Sequence, residues 1–168
     1  LIYHASFTDT ETLDMLEAAR DEVFVVPGIA ILYALLNEAE AFGITRELAA
    51  GMGYQIEWDA ALESLSQMHR RGIRILPGGD YGFAWTPQGT NARDLEHFVT
   101  LFGYSPSEAL QCATRVGGEL MGLPVGELKA GYLADLLVVD GDPLADVRML
   151  QDKERLKAIM QDGKFFKN

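Results

Sequence analysis

Apolar positions along the chain follow two rhythms. Short, largely apolar runs occupy residues 1–4 (Leu-Ile-Tyr-His), 23–26 (Val-Phe-Val-Val) and 73–76 (Ile-Arg-Ile-Leu). Their β-type composition predicts strands covered on both faces, as in a parallel sheet. Between them the period is helical. Leu13, Leu16 and Ala19 share a face over 9–19, a second helix is expected over 31–42, and Leu62, Leu65 and Met68 define a third over 58–70. Residues 43–53 read as a looser connection. The expected boundaries carry their own signals. Thr8 and Glu11 have capping-box spacing. Pro27-Gly28 and Pro77-Gly78-Gly79-Asp80 stop strands, and Ser105-Pro106-Ser107-Glu108 is a helix start with Ser at the cap.

A Gly- and aromatic-rich loop spans 81–89, and helices are expected over 92–102 and from 105. The order strand, helix, strand, helices, strand, helices predicts right-handed βαβ units and a parallel sheet. After residue 122 the texture changes. Residues 126–140 and 156–166 read as short strands, with a hairpin through Asp162-Gly163. The chain therefore divides into 1–122 and 123–168. It opens inside an apolar run without Met, which reads as a piece of something longer.

Composition narrows the partners. A formal net charge of -11 over 168 residues repels phosphate backbones and anionic lipid, so neither nucleic acid nor a membrane surface is expected. No apolar run reaches the roughly 18–20 residues of a membrane span. Cys112 is the single cysteine, which leaves no intrachain disulfide and fits a reducing compartment, the cytoplasm; it reads as a buried helical residue.

In parallel α/β folds functional groups gather at the C-terminal ends of strands. His4 and Asp80 each end an apolar run. Neutral imidazole and carboxylate suit a divalent metal and its water. Taken alone, either residue is more often structural. His69 and His97 fall on expected helices among charges and read as solvated.

The tail is more specific. The run from Gly126 to Leu144 contains Gly126, Leu128, Gly131, Ala134-Asp135-Leu136, Val138, Asp140-Gly141 and Pro143. It resembles the closing segment of the amidohydrolase superfamily, G-x-L-x-x-G-x-x-A-D-L-x-V-x-D-G-x-P. The stretch Ser105–Thr114 resembles the helix after that family's eighth barrel strand, and Gly78-Gly79-Asp80 resembles its metal-binding G-T-D, with Gly79 in place of Thr. Ile2-Tyr3-His4 resembles the sixth strand. The branch it looks most like holds imidazolonepropionase-like enzymes and Xaa-Pro dipeptidases. The resemblance implies an α/β fold, the C-terminal part (about strands six to eight) of a (β/α)8 TIM barrel, plus C-terminal strands of the family's small β-sandwich. It also implies a hydrolase acting on C–N bonds of cyclic amides, imides or peptides. Asp80 would be ligand and general base and His4 a second ligand, with one or two zinc ions in the intact parent. Tyr3, Tyr81, Phe83 and Trp85 are candidates for the substrate pocket. The family's H-x-H, bridging lysine or glutamate and strand-five histidine have no counterpart here, which implies a segment inactive alone. Such a segment would associate as a homo-oligomer or with the N-terminal half of the same protein. Two rival readings are an interaction module that pairs through open sheet edges and a flavodoxin-like domain, which lacks the expected phosphate loop and early acidic pocket.

Overall fold

A computed structural model describes residues 1–168. Three chain segments run parallel at its centre. Strand β1 (Ile2–Tyr3) pairs with β2 (Val25–Val26), and β2 meets the segment around Ile75 on its other side. The links are Ile2 N–H to Phe24 carbonyl and His4 N–H to Val26 carbonyl, each at 2.8 Å, then Leu76 N–H to Val25 carbonyl at 2.9 Å. The parallel order is as read from sequence, but the ladder is shorter. Residues 73–76 contribute a single bridge rather than a full strand. Pro27 and Pro77 follow both segments and offer no N–H to continue the pairing.

Helix α1 (Thr10–Ala18) starts one residue later than the capping-box reading implies. The cap is Asp9, whose carboxylate accepts the Thr12 N–H at 2.8 Å, while the Thr8 hydroxyl donates to the Ala5 carbonyl. Helix α2 (Ile29–Asn37) replaces the expected 31–42. It is buried nearly all round, ends at Glu38, and is followed by a 3₁₀ turn at Glu40–Phe42. The stretch read as loose contains α3 (Arg46–Gly51), capped by Thr45. Only Ala49 of that helix is buried, so its apolar period is too thin to see. Helix α4 (Tyr54–Arg70) buries Ala61, Ser64, Leu65 and Met68. The core forms where these elements meet the sheet: Leu13, Val25, Ile29, Leu65, Met68, Ile75 and Phe98 are each at most 2% exposed.

Helix α5 (Arg93–Phe102) is followed by α6 (Pro106–Gln111), which opens with the expected reciprocal box between Ser105 and Glu108. One π-helical turn (Cys112–Val116) leads to α7 (Gly117–Met121). The tail holds an antiparallel sheet ordered β3 (Leu136–Val139), β4 (Leu156–Gln161), β5 (Lys164–Lys167). Of the expected 126–140 strand only Leu136–Val139 forms. The β4–β5 turn has positive φ at Asp162 and Gly163, as a tight hairpin needs.

Candidate functional site

The three parallel segments end on the same side, and their next residues converge. His4 follows β1, Gly28 follows β2, and Asp80 follows the Ile75 segment. A Cβ built on Gly28 would lie 2.8 Å from His4 Nδ1 and 3.8 Å from Asp80 Cβ. His4 and Asp80 thus flank one glycine, although sequence places them far apart. Gly28 has φ +66°, so any other residue there would be strained and would push the His4 ring aside. His4 and Asp80 are themselves non-glycine residues at φ +65° and +60°, joined by Ala5 at +58°. Such backbone costs on the order of 1–3 kcal/mol per residue and clusters at functional sites.

Both side chains are exposed. An imidazole and a carboxylate are suitable metal donors. No group of three or more His, Cys, Asp and Glu residues is placed to hold an ion; the pair by itself is fewer than the roughly three protein ligands of a catalytic zinc site.

The aromatic candidates divide. Tyr3 is 64% exposed on the strand beside His4. Phe83 and Trp85 stack with centroids 5.5 Å apart, and Phe42 meets Trp85 edge-on at 6.1 Å. The Trp85 indole N–H is buried without a partner. Tyr81 is half-buried, and its hydroxyl donates to Asp94 Oδ1 at 3.0 Å. Burial raises its pKa, with the Asp94 charge adding to the effect.

Two polar residues of α5 lie inside the molecule. Asp94 is 1% exposed. Burial pushes its carboxyl up to about 6, against the Tyr81 hydrogen bond, the Arg93 charge and the backbone amides of Gly79 and Gly78. His97, expected to be solvated, is 5% exposed, packs 4.9 Å from Tyr33, and leaves Nε2 unpartnered. Burial, helped by Arg93, lowers it to about 4. Nor is His69 free in water: it stacks on Tyr104 at 3.6 Å, with Nδ1 3.1 Å from the Phe102 carbonyl. Cys112 is buried as expected, and that burial lifts its thiol to about 11, which makes it a poor nucleophile. Sequence reading missed Asp94 and Gly28. The available signal for Asp94 was a charged residue on the apolar stripe of Leu95, Phe98 and Phe102.

The roomiest cavity, 660 Å³, lies elsewhere. It runs between the helices after residue 110 and the β3–β5 sheet, lined by Leu110, Met121, Leu136, Ile159 and Phe166 among others. It holds no histidine.

Residues 61–166 match the model of the Amidohydrolase family. Ochratoxinase from Aspergillus niger is 27% identical over 167 residues, 98% of this chain and 33% of that protein. Its crystal structure superposes with a TM-score of 0.83 at 24% identity, over 99% of this chain and 36% of that one. A putative prolidase from Bifidobacterium longum reaches a TM-score of 0.84 at 30% identity, over 98% of this chain and 41% of that one. A prolidase complexed with N-methylphosphonate-L-proline gives 0.81 at 25% identity, over 99% and 40%. The chain spans about a third of the length of the ochratoxinase it matches.

Proposed function

The chain belongs to the amidohydrolase family, and from that premise we propose that it is the C-terminal portion of a metal-dependent hydrolase of amide or peptide C–N bonds. The observation that carries this reading is the convergence of His4 and Asp80 around Gly28 at the ends of parallel segments. Residues 1–122 would supply about strands six to eight of a (β/α)8 barrel, and residues 123–168 the closing strands of a small β-sandwich. The similarity to ochratoxinase and prolidases supports a small amide or dipeptide as substrate.

Asp80 and His4 would hold a divalent metal, zinc by the chemistry of these donors, one or two ions in the intact protein. When bound, the metal supplies Lewis-acid polarisation of the scissile carbonyl and acidifies water. Asp80 accepts a proton as water oxygen bonds to the carbonyl carbon, then delivers it to the nitrogen as the C–N bond breaks. Tyr3, Phe83 and Trp85 are the proposed substrate contacts. Catalytic zinc sites use about three protein ligands. This segment is therefore inactive alone, and its working partner is the N-terminal half of the same protein, in a cytoplasmic assembly of more than one copy. A non-catalytic association module is the competing reading, favoured by exposed Tyr3, Phe7, Leu137 and Phe166.

The deciding variant is D80N in the full-length protein, assayed on Xaa-Pro dipeptides and N-acyl amino acids. Asn keeps the shape but cannot take the proton, so activity should fall by at least about 100-fold with the fold intact. An undiminished D80N enzyme sinks the assignment, and an isolated segment that binds zinc tightly and turns over substrate overturns the incomplete-site reading.

A further inference from the structure

Resting on the reading of Asp80 as metal-binding base, we propose that Asp94 is its positioning residue, holding the backbone on both sides of Asp80. Asp94 sits in the first turn of α5, where the helix N-terminus favours negative charge. Its carboxylate is buried, and the neighbouring Arg93 is engaged in two hydrogen bonds with Glu38, at 2.6 and 2.9 Å. The surroundings of the Asp94 carboxylate are instead the residues on either side of Asp80. Ahead of Asp80, Gly79 lies directly against the Asp94 carboxylate, whose Oδ1 would be 2.6 Å from a Cβ built there. Just after it, the Tyr81 hydroxyl donates to Oδ1.

The opposite, carbonyl side of the same segment is fixed by the start of α2. Gly28 N–H donates to the Gly78 carbonyl at 2.8 Å, and Ile31 N–H to the Gly79 carbonyl at 3.0 Å. Gly79 is boxed in between: a Cβ there would come within 2.6 Å of Asp94 Oδ1 and 2.5 Å of Ala30 Cβ. The left-handed backbone of Asp80 has to be imposed by its surroundings. A clamp on the residues before and after it does that, and keeps the Asp80 Cβ beside Gly28. Burying a carboxylate is costly unless its acceptors are filled. Here the hydroxyl that donates to it, that of Tyr81, belongs to the segment that presents Asp80.

The test compares full-length wild type with D80N, D94N and Y81F, using zinc alone as titrant, then kcat and KM on an Xaa-Pro dipeptide. Asn at 94 turns an amide donor toward donors. It should weaken zinc binding about 10- to 100-fold and lower kcat by a similar factor with KM little changed. Y81F should move both readouts the same way by less, roughly 3- to 10-fold. A folded D94N protein with wild-type zinc affinity and kcat, beside a D80N protein that has lost both, overturns the positioning role and leaves the Asp80 reading standing. If D94N fails to fold, Y81F decides on the same two readouts, an unchanged Y81F counting against the clamp. If D80N keeps its zinc affinity and activity, the reading of Asp80 fails first and takes this inference with it.

Discussion

His97 is a buried imidazole whose Nε2 has no partner, on the helix that also carries Asp94. Its folded-state value of about 4 lies below the ordinary 6.5. Between those values the unfolded chain binds the proton and the folded chain does not, so stability rises with pH through that window and is lost as pH falls. Asp94 works in the opposite sense, because its raised value lets the folded state keep a proton up to about pH 6. Comparing wild type with His97→Leu removes every contribution except that of His97. The stability of wild type relative to His97→Leu should therefore grow by on the order of 1–2 kcal/mol between pH 4.5 and 6. Denaturant melts of both proteins at the two pH values check this, and parallel curves would refute it. The sequence could not disclose this burial. His97 lies between Glu96 and Phe98, and spacing alone does not say which face of an amphipathic helix wins the core.

At the scale of elements, what was legible depended on how strongly each signal was written. The Ser105–Glu108 box was readable because both partners and Pro106 lie in one local pattern. In the structure the Glu108 carboxylate accepts the Ser105 N–H at 2.8 Å. Ser105→Ala should cost about 1 kcal/mol, seen as a lower denaturant midpoint with unchanged slope; no shift would mean that α6 is held by packing alone. Thr8 failed as a cap because Asp9, one residue on, is the stronger acceptor and carries charge at the helix start. Helix α3 was missed because one buried alanine makes no stripe. The parallel segments were legible as apolar runs, but not their shortness, which Pro27 and Pro77 set. Of the candidate site, His4 and Asp80 end apolar runs, but only the family resemblance of the motifs around them singled them out. Their meeting across Gly28 required the sheet.

Over the whole molecule, many apolar side chains remain in water, among them two groups beside the sheets. Leu1, Tyr3 and Phe7 lie in or near β1, and Leu137, Val138, Phe165 and Phe166 on the tail sheet, each 49–71% exposed. Open edges and apolar patches of this kind favour association. Sedimentation of the isolated chain at micromolar concentration should show dimers or larger species that dissociate when its N-terminal half is added. A stable lone monomer would contradict that expectation. The glycine between His4 and Asp80 has a consequence for anyone redesigning this protein. Position 28 is the middle of the site, yet it has no side chain to vary, and any replacement collides with the His4 ring as the structure holds it. Under the proposed function, new specificities would have to be written away from position 28, with Tyr3, Phe83 and Trp85 as the proposed substrate contacts. The centre is a fixed point about which the rest of the site can be retuned.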